Sequence, residues 1–117
     1  MLAFKFINLI SADPIRLGEF YRAALGAKVD AALAKDYGRV EMSWDGCSVG
    51  VAISKGDSVP RDCIFEFDAD DIDSLYERLV AKGIEILAPP KDLPWGYRYF
   101  VLRDVDGNTV DVTQKIS

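Results

Sequence analysis

Residues 12–29, ADPIRLGEFYRAALGAKV, return in outline as residues 69–86, ADDIDSLYERLVAKGIEI. Ala12 matches Ala69 and Gly26 matches Gly83, a constant offset of 57, with Ala, Asp, Ile and Gly recurring in place and Val29 meeting Ile86. A second match follows at an offset of 61. It joins Val40 to Val101, Asp45-Gly46 to Asp106-Gly107, and Val49-x-Val51 to Val110-x-Val112. The extra residues fall in the Pro-rich stretch Ala88-Pro89-Pro90-Lys91-Asp92-Leu93-Pro94. Self-similarity at a fixed period is the mark of a duplicated structural unit.

Each copy predicts the same succession of elements. An opening strand (Ala3–Ile10; Cys63–Phe67) precedes a helix. Asp13 is the candidate N-cap of the first helix, with Pro14 at its first position; Asp70 or Asp71 takes that role in the second. Leu17, Phe20, Tyr21, Ala24 and Leu25 fall at helical spacing, as do Ile72, Leu75, Tyr76, Leu79 and Val80. Gly26 and Gly83 are suited to end the helices in left-handed geometry. A further strand (Lys28–Ala31; Ile84–Leu87) and a hairpin (Val40–Trp44 with Ser48–Ile53; Arg98–Arg103 with Thr109–Gln114) complete each unit. The Asp-Gly pairs fit the hairpin turns. The expected fold is therefore α+β: two β-α-β-β-β modules, about 1–56 and 61–117. One module cannot bury both its sheet and its helix. Two are expected to form one domain with an eight-stranded curved mixed sheet, helices on its convex face and a ligand cleft on the concave one.

Composition narrows the chemistry. The chain has 117 residues, no histidine and a net charge of −5. A compact chain of this mass exposes roughly 6,300 Å² of about 18,900 Å², enough for one core rather than two independently stable domains. Without histidine there is no His general base, His metal ligand or Ser-His or Cys-His nucleophile pair. The acidic balance argues against nucleic acid, which requires a basic face, and suits a cationic ligand. Cys47 and Cys63 make neither a disulfide framework nor a zinc spacing, and are expected as reduced, largely buried small hydrophobes. MLAFKFINLI at the start is interrupted by Lys5 and Asn8 and reads as a strand, not a signal peptide. No apolar run approaches the ~20 residues of a membrane span, so no membrane partner and a cytoplasmic location are expected. Neither a Gly-rich phosphate loop nor a nucleophile elbow is present.

The run Asp13 to Gly26 with Phe20-Tyr21 and Leu25-Gly26 resembles the opening of the glyoxalase/bleomycin-resistance/dioxygenase family, the vicinal oxygen chelate superfamily. Phe65-Glu66-Phe67-Asp68-Ala69-Asp70-Asp71-Ile72-Asp73 is similar to its second opening. Trp95-Gly96-Tyr97-Arg98 and Asp104-Val105-Asp106-Gly107-Asn108-Thr109-Val110-Asp111 resemble its close, with Val105 where proline is usual. The resemblance spans essentially the whole chain. It implies four inward-facing metal ligands, usually His, Glu or Gln. Carried over, these positions fall on Phe6, near Gly50, on Ile64 and on Asp111. A one-residue slip would give Lys5 or Ile7, and Cys63 or Phe65. One carboxylate among apolar neighbours does not hold a divalent ion against water, so no metal and no cofactor are expected. The resemblance also implies a two-fold homodimer.

Strand alternation nominates the cleft residues. If Asp111 faces the cleft, Thr109 and Thr113 join it while Val110 and Val112 pack under the helix. If Ile64 faces in, Glu66 and Asp68 follow, with Phe65 and Phe67 in the core. On the first strand Phe6, Asn8 and Ile10 would point inward. Glu66 suggests an acid/base or an anchor for a cation, against the plainer alternatives of an ion pair with Arg98 or Arg103 or a solvated sheet face. Trp44, Trp95, Tyr97 and Tyr99 suggest stacking on a planar or cationic ligand, against core or dimer packing. The stretch Ala88–Gly96 reads as a lid or a plain connector. The candidate ligand-binding residues are thus Asn8, Trp44, Glu66, Trp95, Tyr97, Tyr99 and Asp111.

Three functions fit. The first is a metal-free binding protein that sequesters a flat or cationic small molecule. The second is a glyoxalase- or dioxygenase-like lyase or isomerase with an atypical site using Glu66 and Asp111. The third is an interaction domain with a vestigial cleft.

Overall fold

The computed structural model describes all 117 residues as two compact units, Met1–Val59 and Pro60–Ser117. The first contains β1 (Phe6–Ser11), α1 (Pro14–Leu25), β2 (Lys28–Asp30), α2 (Ala34–Tyr37), β3 (Arg39–Ser43) and β4 (Gly50–Lys55). The second contains β5 (Phe65–Asp68), α3 (Ile72–Ala81), β6 (Ile86–Leu93), β7 (Tyr97–Arg103) and β8 (Thr109–Lys115). Each unit has its own four-stranded mixed sheet, in the order β1-β4-β3-β2 and β5-β8-β7-β6. The first strand of each runs parallel to the last, and the hairpin is antiparallel. This is the β-α-β-β-β plan expected from the repeat.

The helix ends follow their sequence signals. The Asp13 carboxylate accepts from the Arg16 amide at 3.1 Å, with Pro14 at the first position, and Gly26 closes α1 at φ 73°. Asp71, not Asp70, caps α3 by accepting from the Ser74 amide at 3.1 Å. The N-caps are thus 58 residues apart while Gly26 and Gly83 remain 57 apart, and α3, capped by Lys82 just before Gly83, has 10 residues to the 12 of α1. The shift has consequences for packing. Ile15 and Ile72 align in the repeat, yet Ile15 is 57% exposed and Ile72 only 1%.

One face of each sheet is apolar and carries the helix. In the first unit Val40 pairs with Ile53 and Met42 with Val51, all buried with Leu17 and Tyr21 of α1. In the second, Phe100 pairs with Val112 and Leu102 with Val110, all fully buried with Ile72 and Leu79 of α3. The Tyr76 ring meets Phe100 edge-on, with centroids 5.6 Å apart.

One element was not anticipated and two expectations are corrected. The one-turn helix α2, closed by Gly38 at φ 62°, interrupts the loop after β2; four residues are too few to show a helical period. Ala88–Leu93 is neither lid nor loop but part of β6. Pro89 and Pro90 are tolerated because β6 is an edge strand whose pairing shifts register between Ala88 and Lys91. Both cysteines are exposed rather than buried. Cys47 lies in the β3–β4 connection and Cys63 in the approach to β5, outside the strands that build the cores.

The one-residue shift gives a direct test by urea denaturation. Ile72→Ala is expected to cost about 2–5 kcal/mol, as a buried truncation does, and Ile15→Ala to stay within about 0.5 kcal/mol. Equal costs would refute the assignment of the two helix faces.

Candidate functional site

Alternation along β8 decides what the open face of the second sheet presents. With Val110 and Val112 under α3, Asp111 and Thr113 point the other way. The flanking strands extend the same face. Glu66 lies opposite Asp111 and Asp68 opposite Thr113 on β5; Tyr99 lies opposite Thr113 and Tyr97 opposite Lys115 on β7.

A polar turn fixes this register. Asp104 is buried, and its carboxylate accepts from the Asp106 amide (2.9 Å), the Asn108 amide (3.0 Å) and the Asn108 side chain (3.1 Å). The Asn108 and Thr109 side chains then accept from the Arg61 and Cys63 amides at 2.9 and 2.7 Å, seating the entry to β5 against the start of β8. At the other end Gln114 accepts from the Ile72 amide and donates to the Asp70 carbonyl, tying β8 to the first turn of α3.

The result is an open groove of about 720 Å³ in the second unit. Glu66, Asp68, Asp111 and Thr113 line one side; Leu93, Trp95, Tyr97 and Tyr99 line the other, with Phe67 also contributing. Thr113 and Tyr99 stand on adjacent strands, roughly 5 Å apart, while Glu66 and Asp68 on β5 are two strand spacings from the tyrosines, roughly 10 Å. No lysine or arginine is among its lining residues, although Lys115, opposite Tyr97, shares the open face at its end. The nearby arginines are engaged elsewhere: Arg98 with Asp73 and Asp92, and Arg103 with Glu85 and the Gly107 carbonyl. Glu66 therefore lacks the ion pair with Arg98 or Arg103, while its exposure agrees with the other plainer alternative, a solvated sheet face. Asp68 accepts from the Thr113 hydroxyl at 3.2 Å.

Five of the seven nominated residues share this groove: Glu66, Trp95, Tyr97, Tyr99 and Asp111. Two do not. Asn8 is exposed on β1 in the first unit. Trp44 donates its indole N–H to the Leu25 carbonyl at 2.9 Å and meets Tyr21 edge-on, so it closes the C-terminal end of α1. Leu93 was missed because its stretch read as a loop.

The strand pairing also relocates one family position. Phe6 lies opposite Gly50 as Glu66 lies opposite Asp111, so the counterpart of Phe6 is Glu66 rather than Ile64. The first pair supplies no donor. A side chain at Gly50 would meet the Phe6 ring at 2.6 Å, so that ring occupies the space beside the glycine. The four positions together offer two carboxylates, and in neither unit do three His, Cys, Asp or Glu side chains converge on one point. The residues present do not fit a divalent metal.

Cys63 stands beside the groove with its Sγ 3.8 Å from both Asp111 carboxylate oxygens. The Asp111 charge, with a smaller contribution from burial, raises the thiol pKa above its ordinary value.

The family profile of the Glyoxalase/Bleomycin resistance protein/Dioxygenase superfamily matches residues 3–112. The chain belongs to that family. Its fold is similar to that of a superfamily member from Sphaerobacter thermophilus DSM 20745, with a TM-score of 0.82 and 23% identity over 98% of each chain. It is also similar to TnmS3, an antibiotic binding protein from Streptomyces sp. CB03234, with a TM-score of 0.79 and 21% identity over 98% of this chain and 97% of that one. TioX from Micromonospora sp. ML1 gives a TM-score of 0.76 and 18% identity over 97% and 99%. No curated protein matches the chain. No helix is long and apolar enough to cross a membrane.

The Cys63–Asp111 contact is open to a chemical test. Asp111→Asn removes the charge that opposes thiolate formation, so iodoacetamide labelling of Cys63, mapped by mass spectrometry, is expected to accelerate and its pH profile to move to lower pH. An unchanged profile would refute the coupling.

Proposed function

We propose that the protein is a metal-free, cytoplasmic binding protein that sequesters a flat, cationic small molecule in the groove of its second unit. One observation carries this reading: three carboxylates face three aromatic rings in a groove that no cationic side chain lines. A planar ring would pack against Tyr97, Tyr99 and Trp95, and its positive charge would be drawn to Glu66, Asp68 and Asp111. The net charge of −5 would favour the approach of such a ligand. The fold likeness to an antibiotic binding protein agrees with it. The enzymatic alternative draws support from the juxtaposition of Glu66 and Asp111, but the donor set across the family positions is too poor for the metal that such chemistry uses.

Proflavine, a planar cation, is the probe, and fluorescein, a planar anion, the control. Proflavine is expected to raise the melting temperature by mass action and to bind more weakly in high salt. Glu66→Gln and Asp111→Asn should each weaken it roughly two- to fivefold. Prior dialysis against EDTA should leave binding unchanged. Preference for fluorescein, or loss of proflavine binding on chelation, would overturn the proposal.

The same reading includes a homodimer. In the first unit β1 is an edge strand, and Phe4, Ile7 and Ile10 are 71%, 44% and 54% exposed. An unpaired apolar edge is a template for association. Sedimentation velocity at micromolar concentration is expected to give twice the 13.0 kDa chain mass; a single 13.0 kDa species would refute it.

A further inference from the structure

The aromatic side of the groove hangs on a short turn. Leu93, Trp95 and Tyr97 line the groove, and between them the Gly96 amide donates to the Leu93 carbonyl at 3.2 Å. Gly96 has φ 86°, a conformation L side chains rarely adopt. The ladder between β7 and β8 ends at the Tyr97–Lys115 pair. Ile116 and Ser117 lie beyond it, yet both amides donate to the Gly96 carbonyl, at 2.8 and 3.2 Å. A Cβ on Gly96 would lie 3.2 Å from the Ser117 carbonyl oxygen and closer still to its hydroxyl. Glycine at 96 is thus required twice, by the turn and by the chain laid against it.

We infer that Ile116 and Ser117 are positioning residues, a latch that holds the Gly96 turn and through it sets Trp95 and Tyr97 along the groove. Trp95 is 70% exposed and has no hydrogen-bond partner of its own. Its placement therefore depends on the backbone that carries it. Fixing that backbone before a ligand arrives removes an ordering cost that binding would otherwise bear. The binding consequence rests on the groove being the ligand site; the mechanical claim does not.

The test uses the 117-residue chain labelled with 5-fluorotryptophan, in which the two indoles give separate ¹⁹F resonances and Trp44 is the internal control. Removing residues 116–117 is expected to shift and narrow the Trp95 line while the Trp44 line and the melting temperature hold. Proflavine binding should weaken roughly three- to tenfold. Ile116→Pro, which deletes one donor while keeping chain length, should move the Trp95 line in the same direction. Gly96→Ala should lower the melting temperature, and deleting Ser117 in that background should recover part of the loss, a non-additive pair. An unmoved Trp95 line, or additive effects of Gly96→Ala and Ser117 deletion, overturns the latch even if proflavine binds. Failure of proflavine to bind the intact protein defeats the groove reading, while the fluorine spectra still decide the latch.

Discussion

Burial of Val110 and Val112 beneath α3 is the constraint from which the site follows. Both are fully buried on the central strand β8, which pairs with β5 on one side and β7 on the other. Side chains alternate along a strand, and a one-residue slip would exchange the two faces. Once these valines are inside, Asp111 and Thr113 have only the open face. The partners opposite them, Glu66, Asp68 and Tyr99, are carried there too. The groove is the reverse side of the core.

That dependence explains which parts were legible in the sequence. The alternating Val110, Asp111, Val112, Thr113 groups Asp111 with Thr113 on one face, and the same period groups Glu66 with Asp68, but which face is open, and that Tyr97 and Tyr99 share it, needed the strand pairing. Asp13, Pro14 and Gly26 announced α1 because each acts within a turn of itself. Three things were less accessible. The cap of α3 had two adjacent aspartates as candidates, and Asp71 prevails through its contact with Ser74. The register between β5 and β8 is set by Asn108 and Thr109 reaching back 46–47 residues to Arg61 and Cys63, a long-range contact without a local signal. Pro89 and Pro90 read as a loop because proline breaks a ladder; only the position of β6 at the sheet edge makes them admissible. Trp44 shows the opposite error. An aromatic residue near a hairpin looks available to a ligand until its N–H is found on the Leu25 carbonyl.

The duplicated scaffold has diverged on its open faces. At the corresponding register position the first unit pairs Phe6 with Gly50 and the second pairs Glu66 with Asp111. The Phe6 ring lies within cation–π distance of Lys5 and Arg39, at 5.4 and 5.3 Å, so two cations stand there, Arg39 also paired with Glu41 at 2.9 Å. In the second unit negative charge gathers instead, on an exposed strand edge and a half-buried central strand. Like charges directly opposite one another weaken a sheet. The cost at Glu66 and Asp111 is limited because water reaches Glu66 and the Cys63 thiol lies against Asp111. It remains without return to stability, since no arginine or lysine neutralises the pair within the groove. A cationic guest would supply that missing charge, and this is the physical basis on which the proposed reading of the face rests.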